Sequence, residues 1–380
     1  MSSPEGEPQA DPPGPSRRGR WIVLFLAVFA SPLVAEAGLR FLLFSDSALA
    51  RKWGAEVRKA ALFVEANTHD DFWMLREYIQ VPEERRFTPP ERYHPLLGWV
   101  NEFVDPITYD HRHRPFVGDK RPVLLYGASY AAREYRPMLG VSDLAEDYVL
   151  LPYGVGGYGV DQVYLLLKNS LDHFVGTDPV VLIGLTVDGD FDRCMLSLRV
   201  WPKPHFSLDD GGALRLETPI VEDIRTYFER NRIGINSYIW SHLKYGKSLP
   251  EGLRGILSGE AQRRRKKQEL IRALVVAMQA ELDARGMQGC YLLFCGQSSV
   301  KGYGPEAWRE EFLCGLFDEL EIPYVLTRPV LDAALEEHGE RPRQYFFGPV
   351  HPQAGHPNPL GRERLFPCLR SAIVGDYDNR

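Results

Sequence analysis

Apolar and polar stretches alternate along the chain in a way that predicts strands separated by helices. Five short apolar runs predict buried strands, at residues 122–126, 148–152, 179–185, 290–295 and 324–326. Helical stretches are predicted near residues 131–138, 161–173, 261–285 and 305–320. Strands that are apolar at nearly every position are covered on both faces, so the pattern predicts an α/β domain with a parallel sheet between helices.

An insertion at about residues 194–260 separates the third predicted strand from the fourth. Within it, residues 205–219 (HFSLDDGGALRLETP) predict a β-hairpin with Asp210, Gly211 and Gly212 at the turn. The aromatic-rich residues 227–245 predict a helix. The insertion either forms a lid or wall of a substrate cleft or is a subdomain with no part in the site.

The N-terminal residues predict a disordered tail followed by a helix that enters a membrane. Residues 1–16 are rich in Pro, Gly, Ser and Glu, so residues 1–20 are predicted to form a disordered cytoplasmic tail. The mostly apolar residues 21–44 follow three arginines, which predicts a signal anchor with the rest of a single-pass protein outside the cytoplasm. The alternative is a signal peptide cleaved at Ala35-Glu36-Ala37, which would release a secreted or periplasmic protein.

The remainder divides into a connecting arm and a larger domain. Residues 45–115 predict a helical and loop-rich arm, and residues 116–375 contain all five predicted strands. A net charge of −6 and a pI near 6.0 offer no basic face for nucleic acid. The five cysteines are scattered without a Cys-x-x-Cys pair, which argues against a zinc site or a disulfide framework.

A serine and a histidine carry the candidate chemistry. Ser129 follows the first predicted strand through the turn residues Gly127 and Ala128. A serine at such a corner projects out of the sheet, where a base from elsewhere in the chain can reach its hydroxyl. His356 lies near the end of the chain and could supply that base. An α/β-hydrolase is disfavoured because its Gly-x-Ser-x-Gly turn would end at Ala131.

Ser129 and His356 belong to a series of four short sequence motifs that follow one another along the chain. The first is Gly127-Ala128-Ser129, and the second is the glycine run YGVGGYGVDQ, which contains Gly157. The third is the loop LTVDGDFDR after the third strand, and the last is His356-Pro357-Asn358. In this order, over residues 94–370, the chain resembles the SGNH (GDSL-type) hydrolase superfamily, in its bacterial branch with an N-terminal membrane segment.

The resemblance implies a three-layer α/β/α fold with a parallel five-stranded flavodoxin-like sheet. Ser129 would be the nucleophile and His356 the base, and the backbone N–H groups of Ser129 and Gly157 would stabilise the oxyanion. The candidate supporting residues are Asp188, Asp190 and Asn358. No metal and no organic cofactor is implied. The implied substrate is an acyl ester of a small molecule, a glycan or an envelope component, cleaved by an esterase or used for O-acyl transfer.

The chain also departs from the family pattern at its supporting positions. Pro152 stands where the second block usually opens with Asn, and Gly189 stands at the usual Asn of the third block. The carboxylate that usually precedes the histidine is absent, since Gln353, Ala354 and Gly355 occupy those positions. Two hypotheses follow: an ester-cleaving or acyl-transferring enzyme, or a weakened SGNH-like domain that binds a glycan or an envelope partner.

Overall fold

The chain folds around a five-stranded parallel sheet. A computed structural model describes residues 17–82, 85, 92–131, 135–187, 189–199, 201–218, 224–246, 249–302, 307–351 and 353–377. Its strands are β1 (Tyr93–His94), β2 (Gly98–Trp99), β3 (Arg121–Gly127), β4 (Tyr148–Gly154), β5 (Val180–Thr186), β6 (Leu198–Arg199), β7 (Trp201–Pro202), β8 (His205–Leu208), β9 (Leu214–Glu217), β10 (Gly289–Phe294) and β11 (Tyr324–Leu326).

Helices connect and flank these strands. They are α1 (Arg17–Phe44), α2 (Ala48–Trp53), α3 (Asp70–Ile79), α4 (Arg136–Gly140), α5 (Val160–Ser170), α6 (Asp190–Arg193), α7 (Ile224–Arg230), α8 (Tyr238–Tyr245), α9 (Glu251–Ser258), α10 (Glu260–Asp283), α11 (Trp308–Glu319), α12 (Thr327–His338) and α13 (Pro359–Val374). Of the predicted tail at residues 1–20, residues 17–20 form the first turn of α1, and residues 1–16 lie outside the described residues.

The sheet has the strand order β11-β10-β5-β3-β4, and every pair is parallel. This is the order of flavodoxin-like sheets, in which the first strand lies between the second and the third. Helix α5 packs against β3 and also contacts α10. Helices α12 and α13 pack against each other and against β10 and β11. The predicted fold class is therefore confirmed: an α/β protein with a parallel five-stranded sheet, helices around it and an apolar N-terminal helix.

Gly127, the last residue of β3, lets this strand approach its neighbour β5 closely. Its φ is +147°. A Cβ atom at this position would lie 2.3 Å from the carbonyl oxygen of Gly184 and 2.7 Å from Cβ of Ala131. Gly184 lies within β5 and Ala131 within the turn that follows β3, so neither atom can give way. Glycine is required where the chain leaves the sheet toward Ser129.

The insertion packs against the arm. Strands β8 and β9 pair antiparallel, with His205 opposite Glu217, which confirms the predicted hairpin. At the start of α3 in the arm, Asp70 accepts hydrogen bonds from the backbone N–H groups of Ser197 and Leu198, both at 3.0 Å. These contacts join parts of the chain that the sequence pattern treats as separate.

Helix α1 is apolar, and its described side chains from Trp21 to Val34 are exposed. Among the described residues, its stretch Leu24–Phe44 is long and apolar enough to cross a membrane, a test that a signal sequence also passes. The two charges within the apolar run, Glu36 and Arg40, contact the start of α8. Glu36 accepts hydrogen bonds from the N–H groups of Tyr238 (3.0 Å) and Ile239 (3.1 Å), and Arg40 donates to the carbonyl of Asn236 (2.7 Å).

A buried ion pair joins the insertion to α5. The ammonium group of Lys203 donates to the carboxylate of Asp161, and both side chains are fully buried. Burial raises the pKa of Asp161, and the Lys203 charge opposes that rise. Removing one member of such a pair leaves the other as an uncompensated charge in a low-dielectric interior, which costs about 3–5 kcal/mol.

We therefore expect Lys203→Met to lower the free energy of unfolding by about 3–5 kcal/mol, measured by urea denaturation of the full chain in detergent. The double variant Lys203→Met/Asp161→Leu should lose much less, because no charge is left unpaired. The exposed pair of Arg272 with Glu319 provides the matched control, and Arg272→Met should cost at most about 1 kcal/mol. Equal losses for Lys203→Met and Arg272→Met would contradict this account.

Candidate active site

The carboxyl ends of β3, β4 and β5 meet at one edge of the sheet, at the point where the strand order reverses. Ligands of open α/β sheets bind in the crevice at such a point. Ser129 follows β3 and begins a short 3-10 turn, Ser129–Ala131. The glycine loop at residues 154–159 follows β4. Half-buried rather than enclosed, Ser129 remains within reach of a substrate.

His356 lies directly against Ser129. Its Nε2 atom is 2.7 Å from the Ser129 hydroxyl oxygen, within hydrogen-bond distance. The two residues are 227 positions apart in the chain, and the fold brings them together at the sheet edge. This is the nucleophile–base contact that covalent acyl-transfer chemistry requires. The structure thus places together the two residues that the sequence predicted as nucleophile and base.

The other ring nitrogen of His356 is held by a backbone carbonyl. Its Nδ1 atom is 3.0 Å from the carbonyl oxygen of Gln353. A carbonyl only accepts hydrogen bonds, so Nδ1 must carry the proton and Nε2 is left with the lone pair that faces Ser129. This is the tautomer that a general base needs. The Gln353 carbonyl therefore orients the ring as the usual carboxylate does, without its negative charge.

The loop that carries His356 is fixed by contacts around Gly355. Gly355 has a φ of +79°, and its N–H donates to the carbonyl of Phe347 at 3.0 Å. The carbonyl of Gly355 accepts a hydrogen bond of 2.6 Å from the hydroxyl of Tyr130, the residue after the nucleophile. The ring of Tyr130 also lies 5.4 Å from that of His356, between centroids. Tyr130 thus links the nucleophile turn to the histidine loop.

The glycine loop faces Ser129 from the other side. A Cβ atom on Gly156 would lie 4.0 Å from Cβ of Ser129, and the indole N–H of Trp99 holds this loop by donating to the carbonyl of Gly156 at 2.9 Å. Gly157 has a φ of +88°, which favours glycine. The backbone N–H groups of Ser129, Gly156 and Gly157 donate to no other described residue, so they are available to an oxyanion.

The candidate supporting residues lie at different places. Asp190 is fully buried, where its carboxylate pairs with Arg193 at 2.6 Å and accepts from the N–H of Thr186 at 2.7 Å. Burial raises the pKa of Asp190, and the Arg193 charge opposes the rise. Asn358 is the N-cap of α13, and its side chain accepts a hydrogen bond from the N–H of Gly361 at 2.9 Å. Asp188 lies outside the described residues.

Three contributors to the site have no motif of their own. The orienting group is a backbone carbonyl, which any residue at position 353 would supply. The sequence indicates nothing about Tyr130 except that it follows Ser129. Trp99 belongs to the arm, 57 residues before the carbonyl it binds, and no local pattern connects the two.

No protein-family model and no curated protein matches this chain. Among solved structures, an acetylxylan esterase of Geobacillus stearothermophilus is similar over 68% of this chain and 95% of that one, at 10% identity and a TM-score of 0.34. The acetyl xylan esterase AlAXEase is similar over 66% of this chain and 99% of its own, at 13% identity and a TM-score of 0.36. Both neighbours are named as acetylxylan esterases.

The carbonyl orientation of His356 leads to a specific prediction. Gln353→Ala should leave the rate of Ser129 labelling by a fluorophosphonate within about twofold of wild type, because the exposed side chain is removed and the carbonyl stays. Gly355→Val should slow labelling about tenfold or more. A β-branched residue at the positive φ of position 355 is strained by about 1–2 kcal/mol, and the strained loop displaces the Gln353 carbonyl from His356. A large loss in Gln353→Ala would show that the side chain, not the carbonyl, is needed.

Proposed function

We propose that this protein is a serine hydrolase that cleaves ester-linked acyl groups. The observation that carries the proposal is the three-part contact of Ser129, His356 and the Gln353 carbonyl, with distances of 2.7 Å and 3.0 Å. A serine that merely caps a turn has no need of a correctly oriented imidazole on its hydroxyl. The free N–H groups beside Ser129 add the second requirement of acyl transfer, a site for the oxyanion.

The first half of the reaction forms an acyl-enzyme. The Ser129 oxygen attacks the ester carbonyl while Nε2 of His356 takes the hydroxyl proton. The carbonyl oxygen becomes negative, and the N–H groups of Ser129 and Gly157 stabilise it in this proposal; losing one such donor costs about 3 kcal/mol of barrier. The intermediate then collapses, the ester C–O bond breaks, and the His356 proton passes to the departing alcohol.

The second half restores the enzyme. Water attacks the acyl-serine carbonyl, and Nε2 of His356 takes a proton from it. The second tetrahedral intermediate uses the same oxyanion donors. Its collapse releases the carboxylic acid, and the proton on His356 returns to the Ser129 oxygen. A sugar hydroxyl in place of water would give O-acyl transfer at the same site.

The membrane anchor belongs to the same proposal. Cleavage after Ala37 would remove Glu36, whose carboxylate binds the first N–H groups of α8. That contact favours a retained helix α1 over a cleaved signal peptide. With the arginines of residues 17–20 on the cytoplasmic side, the active site would act outside the cytoplasm, on acyl esters of a glycan or another envelope component.

Active-site labelling tests the hydrolase. The full chain in detergent should react with a fluorophosphonate probe and hydrolyse 4-nitrophenyl acetate, and Ser129→Ala should abolish both. His356→Gln should reduce both at least about a hundredfold, because the general base is lost. Ser142→Ala is the control, a serine away from the site whose hydroxyl bonds the carbonyl of Leu139. An absence of labelling and of turnover across a broad pH range would favour the weakened, glycan-binding domain instead.

Membrane retention needs a separate experiment. We expect the expressed protein to stay in the membrane pellet after alkaline carbonate extraction and to keep its N-terminal residues by mass spectrometry. Glu36→Ala should lower its thermal stability, since the N–H groups at the start of α8 lose their acceptor. A mature chain beginning after Ala37 would refute the retained anchor.

A further inference from the structure

An arginine from the insertion lies against the glycine loop of the active site. Arg199 ends β6. A Cβ atom on Gly157 would lie 3.3 Å from Nε of Arg199, just as one on Gly156 would lie 4.0 Å from Cβ of Ser129. The guanidinium and the nucleophile therefore lie beside two successive residues of one loop.

Arg199 has no carboxylate partner within ion-pair distance in the described part of the chain. Its Nη1 atom donates to the side-chain oxygen of Asn67 at 3.2 Å, and its guanidinium lies 5.6 Å from the ring centroid of Trp73. A guanidinium carries five N–H donors, so most of its hydrogen-bonding capacity is unused by these contacts. The neighbouring carboxylate of Asp190 is already bound to Arg193.

The surroundings make an unpaired cation costly. Burial, together with the nearby charge of Arg193, lowers the pKa of Arg199 to about 9, and the charge of Asp190 opposes this shift only in part. Two arginines close to buried carboxylates do have such a partner: Arg193 pairs with Asp190 and Arg309 with Asp192, each at 2.6 Å.

The position is also accessible and walled by aromatic rings. Arg199, Asn67, Trp73 and Trp99 are all half-buried, so a ligand can reach them from solvent. The Trp99 ring lies 3.3 Å from the Cβ position of Gly157, on the same side as the guanidinium. Apolar walls lower the local dielectric and strengthen the attraction between the guanidinium and an anion.

We infer that Arg199 binds an anionic group, a carboxylate or a phosphate, that the substrate carries near its scissile ester. The planar fork of a guanidinium fits the paired oxygens of either group. The inference rests on the proposed hydrolase function and narrows its substrate class from acyl esters in general to acyl esters of acidic molecules. The arm and the insertion build this subsite, which gives the insertion a part in substrate selection.

Matched ester pairs test the subsite. The substrates are 3-acetoxybenzoate, 4-acetoxybenzoate and 4-acetoxyphenylacetate, each beside its neutral methyl ester, with 4-acetoxyphenyl phosphate as the phosphate arm. The wild-type full chain should prefer at least one anionic ester over its neutral partner about 10- to 100-fold in kcat/KM. Arg199→Gln should bring that ratio close to one while the neutral esters keep their rates, and Arg199→Lys should keep part of it.

Preference for the phosphate alone would identify a phosphate group, and preference for a benzoate a carboxylate. Arg272→Gln, which removes an exposed charge, should leave every ratio unchanged. Ratios near one in wild type, or ratios unaltered in Arg199→Gln, would overturn the inference. So would an equal loss on neutral and anionic esters, which would make Arg199 a general stabiliser of the site.

A binding measurement separates this inference from the proposed function. Calorimetric titration with 4-hydroxybenzoate and with 4-hydroxyphenyl phosphate needs no turnover. Binding to wild type that weakens tenfold or more in Arg199→Gln would support the anion site even if no ester is cleaved. The anion site would be refuted if wild type and Arg199→Gln bound these compounds equally well, or if neither bound them, and wild type also showed no preference for anionic esters.

Discussion

The buried pair of Asp161 and Lys203 is the interaction on which the site most depends. Asp161 lies in the first turn of α5, directly after the glycine loop, and Lys203 lies four residues after Arg199 in the insertion. Fixing these two charges together fixes the loop that faces Ser129 and the segment that carries the guanidinium. The arm also binds to the start of α5, since the side chain of Gln162 donates a hydrogen bond to the carbonyl of Leu97 at 2.6 Å.

Much of the sheet domain could be predicted because its physical signals are local. Each strand is an apolar run buried on both faces, and each run is bounded by turn residues, so the five strands follow from the sequence. Their parallel pairing places the carboxyl ends at one edge, which brings Ser129 and the glycine loop together. His356 was predicted from its resemblance to a family block, and the fold places it on Ser129.

The parts that escaped prediction depend on contacts between distant segments. A lysine in a Trp-Pro-Lys-Pro context gave no sign that it would be buried against Asp161, 42 residues earlier. Arg199 was one charged residue among many, because only the folded chain shows which arginine lies against the glycine loop. The role of the Gln353 carbonyl in orienting His356 could not be predicted for a different reason. Backbone orientation depends on the conformation of the loop between Phe347 and His356, and no side chain records it.

The use of a neutral carbonyl beside His356 changes the charge balance of the site. In a triad with a carboxylate, the protonated imidazole is one half of an ion pair, and together with the oxyanion the site carries a net negative charge. In the mechanism proposed here the imidazolium and the oxyanion form together, so proton transfer leaves the net charge of the site unchanged and no carboxylate adds to it. The site is therefore less negative at every step than a site with a carboxylate, and it repels an anionic substrate less. Under the proposed function, the absence of a carboxylate beside His356 and the choice of acidic substrates would thus be two consequences of one charge balance.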